Sequence, residues 1–117
     1  REVAKKFLDW GIPTAASIIE VSSAVSIEVI GSGGIRSGID IAKVLSIGAD
    51  MAGVAHPLLR PATESVENVA KVLSRLRSEL RMAMFLTGCR DVDGLKNSPH
   101  VILGPLLEWK RQRISKV

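Results

Sequence analysis

The chain has 117 residues, enough for one domain with a sizeable core, and its 46% hydrophobic and 24% charged residues exclude a disordered chain. A single cysteine, Cys89, excludes an internal disulfide and reads as a small, partly buried residue; no Cys/His spacing fits a zinc site. The net charge of +4 gathers toward the C-terminal part, at Arg75, Arg77, Arg81, Arg90, Lys110, Arg111, Arg113 and Lys116, but 3% aromatic residues leave little to stack bases, so these charges read as wet helix faces and nucleic acid is not the expected partner.

No apolar run approaches the ~20 residues of a membrane span and no signal peptide opens the chain, so no membrane partner and a cytoplasmic setting are expected. REVAKKFLDWG reads as a helix tail with Val3, Ala4, Phe7 and Leu8 as its apolar stripe and Gly11 as its terminator. A helix at residue 1 without a start signal points to missing upstream sequence. A second helix follows Pro13, with Ala15, Ala16, Ile18 and Ile19 on its apolar side up to about Val21.

Ile27 to Ile30 reads as a short strand, and its Ile and Val residues predict burial on both faces, as in a parallel sheet. After Gly31-Ser-Gly-Gly, Ser37 is placed to cap a helix, with Asp40 near the capping-box position. Ile39, Ile41, Ala42, Val44 and Leu45 form its buried side, and Gly48 stops it. A second strand runs from Met51 to Ala55, completing a βαβ unit with parallel pairing. His-Pro-Leu-Leu-Arg-Pro then reads as an irregular link to a long helix from a Thr63 cap to about Leu86. Its stripe is Val66, Val69, Ala70, Leu73, Leu76, Leu80, Ala83 and Met84. Gly88 ends that helix, Asp91 caps one short turn, and GPLLEWKRQRISKV reads as a last amphipathic helix. Two parallel strands cannot bury both faces of a sheet, so the chain reads as part of a larger α/β architecture, a (β/α)8 barrel or a doubly wound sheet.

A strand that ends in glycines and enters a capped helix presents unobstructed amides, which is the construction of an anion site, with phosphate the natural guest. The other reading of the same glycines is a tight turn that serves packing. Neither G-x-G-x-x-G nor a P-loop is present. The end of the next strand, Gly53-Val-Ala-His, would lie beside the glycine loop, and barrels build phosphate sites from two such adjacent loops.

GSGGIRSGIDIAKVLSIGADMAGVAHPLL resembles the last two β/α units of FMN-dependent barrels. With DWGIPTAASI before it and ELRMAMFLTGCRDVDGLK after it, the whole chain resembles the type 2 isopentenyl diphosphate isomerase family. The resemblance implies an α/β fold in which residues 1–117 are the C-terminal part of one FMN-binding (β/α)8 TIM barrel, its N-terminal strands missing. It implies that Gly33, Gly34, Ile35 and Arg36 hold the FMN phosphate from one loop and Ala55 and His56 from the next. Many relatives carry Arg where this chain has His56, so a backbone contact is retained and a permanent cation is not. Arg36 has two readings, a fork on phosphate or a tie to a carboxylate such as Asp50. Asp40 reads as a first-turn acid, Trp10 and Trp109 as packing anchors, and His100 as a surface residue.

The family interconverts isopentenyl and dimethylallyl diphosphate with reduced FMN, Mg²⁺ at the diphosphate and NADPH as flavin reductant, in a homo-oligomer. No catalytic or metal-binding residue of that family is matched in this chain, so the isolated 117 residues are expected to be inactive. Two other readings remain: an FMN oxidoreductase of the 2-hydroxy-acid oxidase type, and a non-catalytic half-barrel that associates with a partner chain through its exposed sheet edges.

Overall fold

A computed structural model describes residues 2–114. The elements in order are α1 (Glu2–Lys5), α2 (Thr14–Ala24), β1 (Ile30–Ser32), α3 (Gly38–Ser46), β2 (Met51–Gly53), α4 (His56–Glu64), α5 (Val66–Leu86), α6 (Val92–Lys96) and α7 (Gly104–Arg113). The two strands pair in parallel, with Ile30 opposite Met51, Gly31 opposite Ala52 and Ser32 opposite Gly53. The expected βαβ unit is therefore present in an α/β chain that is mostly helical.

Helix α3 is the hub because both of its sides are apolar. Val44 packs with Ile18 of α2, Ile35 and Ala49 against the sheet, where Ala52 and Val54 complete the layer. Ala42 and Leu45 pack on the other side with Leu95 of α6 and with Leu80, Ala83, Met84 and Cys89. Cys89 is half-buried, as expected. Gly31 is buried beneath these helices: a β-carbon there would lie 2.5 Å from Val44 Cγ1 and 2.8 Å from Ile18 Cδ1. Thus one glycine of the loop does serve packing.

Both strands are shorter than their sequence predicts, β1 starting later, at Ile30, and β2 starting at Met51 as expected and ending earlier, at Gly53. Pairing begins where Val29 O accepts from Asp50 N (2.8 Å), and β1 runs on to Ser32, while Ile27 to Val29 stand before it. The partner strand sets the extent, since β2 ends at Gly53. Burial on both faces does not hold either. Helices cover one face only, and on the other Ile30 is 65% exposed and Met51 62% exposed.

The link after β2 is helical, contrary to expectation. Pro57 falls in the first turn of α4, where no N–H is required, so it starts the helix instead of breaking it. Thr63 does not cap: its hydroxyl donates back to Arg60 O (2.8 Å), and Ser65 takes the cap of α5, accepting from Asn68 N (3.1 Å). Along α5 Leu76 is buried, whereas Val66 is 80% exposed and Leu73 and Ala70 are also exposed. A 3.6-residue stripe shows which residues are apolar, not how much of the stripe this chain covers.

At the N-terminal end only one helical turn is described, and Val3, Ala4, Phe7 and Leu8 are exposed. Residue 1, where the helix tail was expected to begin, lies outside the described residues. Trp10 is likewise no anchor within this chain, at 82% exposed with an edge contact to Phe7 alone among rings. Trp109 is one: its Nε1 donates to Glu20 Oε1 (2.6 Å) and docks α7 on α2. Residues 115–117 of the expected last helix, with Lys116, lie outside the described residues.

Candidate functional site

The site begins at the carboxyl ends of β1 and β2. Ser32 stands opposite Gly53 in the register and its hydroxyl donates to Gly53 O (3.3 Å), so the segments that follow, residues 33–37 and 54–56, leave the sheet side by side. Gly33 (φ 108°) and Gly34 (φ 74°) take the left-handed backbone that only glycine adopts freely. A β-carbon at Gly34 would meet no atom within 4 Å, so the space in front of it is open.

The amides of this corner divide into two groups. Ser37 caps α3 by accepting from Asp40 N (3.1 Å), and Asp40 Oδ2 accepts from Ser37 N (3.0 Å) and Arg36 N (3.1 Å), forming the expected capping box and extending it by one residue. These bonds, Arg36 N first and Ser37 next, hold the Asp40 carboxyl below the usual carboxylate range. Gly38 N donates to Glu79 Oε2 of α5 (2.6 Å). By contrast, the amides of Gly33, Gly34 and Ile35 have no hydrogen-bond partner among the described residues, and neither do those of Ala55 and His56 at the start of α4. Unpaired donors of this kind, five on two adjacent loops, are what an anionic oxygen requires.

The expected site residues occupy this corner in different ways. Gly33, Gly34, Arg36, Ala55 and His56 are exposed. Ile35 is buried in the core under α3, so it can offer a ligand only its backbone. The Arg36 guanidinium makes no ion pair among the described residues, and Asp50 accepts instead from Val29 N (2.8 Å) and from Lys96 Nζ. Of the two readings of Arg36, the tie to Asp50 is therefore removed. His100 is exposed, as expected.

Two features escaped the sequence reading. A pocket of about 180 Å³ opens beside Gly33 and Gly34, walled by Thr14 of α2 and by Asp40 and Lys43 of α3. Glu79 reaches the start of α3 because Gly38 lets the helices meet: a β-carbon at Gly38 would lie 2.5 Å from Leu80 N. The signal for that contact is a glycine directly after a helix cap.

A sequence profile of the FMN-dependent dehydrogenase family matches residues 6–102. The isopentenyl-diphosphate delta-isomerase of Methanococcus maripaludis is 49% identical over 112 residues, 96% of this chain and 32% of that protein. The enzymes of the same name from Methanothermobacter thermautotrophicus (51% over 113 residues, 97% and 32%) and Thermococcus onnurineus (52% over 115 residues, 97% and 31%) are similar to the same extent. The chain thus spans about a third of the length of these relatives. Among solved structures, a mandelate oxidase mutant with the monooxide FMN adduct superposes with a TM-score of 0.75 at 35% identity, over 83% of this chain and 32% of that one. Mandelate oxidase with (S)-2-phenylpropionate gives 0.71 at 34% identity, over 82% and 30%.

Proposed function

The chain belongs to the FMN-dependent dehydrogenase family, and from that premise we propose that residues 1–117 are the C-terminal part of a single barrel domain, its last two strands and following helices, in an enzyme that interconverts isopentenyl and dimethylallyl diphosphate. The single observation that carries the reading is the pair of adjacent loops with unpaired amides at the carboxyl ends of β1 and β2. That is the end of a barrel where phosphate groups are held. The similarity favours the isomerase: 49–52% identity to the three enzymes of that name, against 34–35% to the two mandelate oxidase structures. The uncovered face of the sheet, with Ile30 and Met51, fits the interior of a barrel whose other strands come from the rest of the protein.

The residues present fit the phosphate of FMN. Gly33, Gly34 and Ile35 donate backbone N–H groups, Arg36 supplies a guanidinium fork in solvent, and Ala55 and His56 donate from the second loop at the start of α4. When bound, reduced FMN would supply the proton-transfer chemistry, with Mg²⁺ at the substrate diphosphate and NADPH as flavin reductant. This chain's proposed part is to hold the cofactor through its two loops. We assign the complete enzyme to the cytoplasm as a homo-oligomer; among the described residues no helix is long and apolar enough to cross a membrane.

The mandelate oxidase likeness favours a second reading, oxidation of a 2-hydroxy acid. The test is an assay of the complete protein, loaded with FMN and supplied with NADPH and Mg²⁺, on isopentenyl diphosphate and, under air, on mandelate. Isomerisation followed by NMR is the expected result. Turnover of mandelate without isomerisation would replace it with the second reading. The 117-residue chain by itself is expected to show neither activity.

A further inference from the structure

We infer that Glu79 is a positioning residue for the phosphate clamp, an inference that rests on the function proposed above. Its carboxylate lies 41 positions beyond Gly38 in sequence, yet it accepts the first amide of α3 at 2.6 Å. With Asp40 accepting from Arg36 N and Ser37 N, two carboxylates take up the helix start, where an anion would otherwise bind. The phosphate is therefore read by the amides that precede the helix, those of Gly33, Gly34 and Ile35, together with Ala55 and His56.

Those three amides hang between β1 and the start of α3, so a small rotation of the first turn of α3 re-aims them. Glu79 prevents that rotation from outside the loop. Its other oxygen, Oε1, lies 3.8 Å from Arg75 Nε on the same helix, in a loose, partly exposed ion pair. Helix α5 is itself held by buried Leu76 and by the close approach at Gly38. The loop geometry is thus referred to a 21-residue helix that contributes no ligand of its own. The feature that matters is reach: the oxygen must extend from α5 to Gly38 N.

Two substitutions in the complete enzyme separate reach from charge. Glu79→Gln keeps the length and a carboxamide oxygen that accepts the same bond; Glu79→Asp keeps the charge and shortens the arm by one methylene. The dissociation constants of FMN and of riboflavin, which lacks the phosphate, are measured by flavin fluorescence. The unsubstituted enzyme is expected to prefer FMN. Glu79→Gln is expected to keep that preference within about threefold, and Glu79→Asp to lose about tenfold in FMN affinity with riboflavin affinity unchanged, the scale of one hydrogen bond to a charged acceptor. A Glu79→Asp enzyme that retains the full preference, or that loses both flavins in parallel, overturns the inference while leaving the clamp in place. An unsubstituted enzyme that binds both flavins equally overturns the clamp itself, and the inference with it.

Discussion

The two ends of the sheet are built on opposite terms. At the amino end of β2 the carboxylate beside the strand has its partners within the chain: Asp50 accepts from Val29 N and from Lys96, which ties α6 to the sheet. On the neighbouring helix Glu20 accepts from Trp109 Nε1 and Arg113 Nε (3.1 Å), which ties α7 to α2. At the carboxyl end the amides of Gly33, Gly34, Ile35, Ala55 and His56 are left unpaired and all but Ile35 stand in solvent. The difference teaches where in this fold stability is placed and where binding is placed. Hydrogen bonds satisfied within the chain hold elements together, and donors left to solvent are the ones the proposed phosphate clamp would use.

The largest expected effect is at the open end. Gly34→Val in the complete enzyme puts a β-branched residue at φ 74° and fills open space, where a β-carbon meets no non-neighbouring atom of the described residues within 4 Å. FMN affinity is expected to fall about thirtyfold, roughly 2 kcal/mol, with little change for riboflavin. A folded variant with unaltered FMN affinity would remove the distinction between the two ends.

The mirror experiment is Asp50→Ala at the closed end. It leaves Val29 N–H and Lys96 without their acceptor, so thermal unfolding is expected to come several degrees earlier. The pair is about one-third exposed, so water takes over part of the lost bonding and the shift stays modest. FMN affinity per folded molecule is expected to hold. If instead cofactor affinity dropped and the unfolding temperature stayed put, the closed end would have a share in binding that its geometry does not explain.

The open end was more legible in the sequence than the closed end. The glycines, the Ser37 cap and the reciprocal Asp40 bond are local: all partners lie within a few residues, so type and spacing suffice to name them. The contacts that fix α3 against α5, Glu79 to Gly38 above all, join positions far apart, and nothing in either segment alone announces the pairing. Helix α4 was hidden for a different reason. Its prolines read as breaks, but Pro57 sits where a helix has no use for the missing N–H. The exposed stripes of α1 and of Val66 and Leu73 on α5 were legible as apolar and illegible as exposed, because periodicity marks which residues share a face and not what lies against it.

The smallest expected effect is on acid stability, to which Asp40 at the open end contributes as well as the carboxylates that tie the helices. Lys96 first and Val29 N–H second hold the Asp50 carboxyl below the usual carboxylate range; Arg113 and then Trp109 do the same for Glu20. A carboxylate with a lowered folded pKa contributes stability that is present above its unfolded value, near 4, and is lost as pH falls through the folded value. Lys96, raised by Asp50, contributes the complementary dependence: its share is present below the ordinary lysine value and fades as pH climbs past the raised one. Urea midpoints are therefore expected to be flat across neutral pH and to decline below about pH 4. Asp50→Asn is expected to make that decline shallower, because the amide oxygen still accepts from Val29 N–H and no longer titrates. An equally steep acid decline in Asp50→Asn would place the acid-sensitive groups elsewhere, with Glu20, whose partners join α2 to α7, and Asp40, which caps α3, the next to substitute.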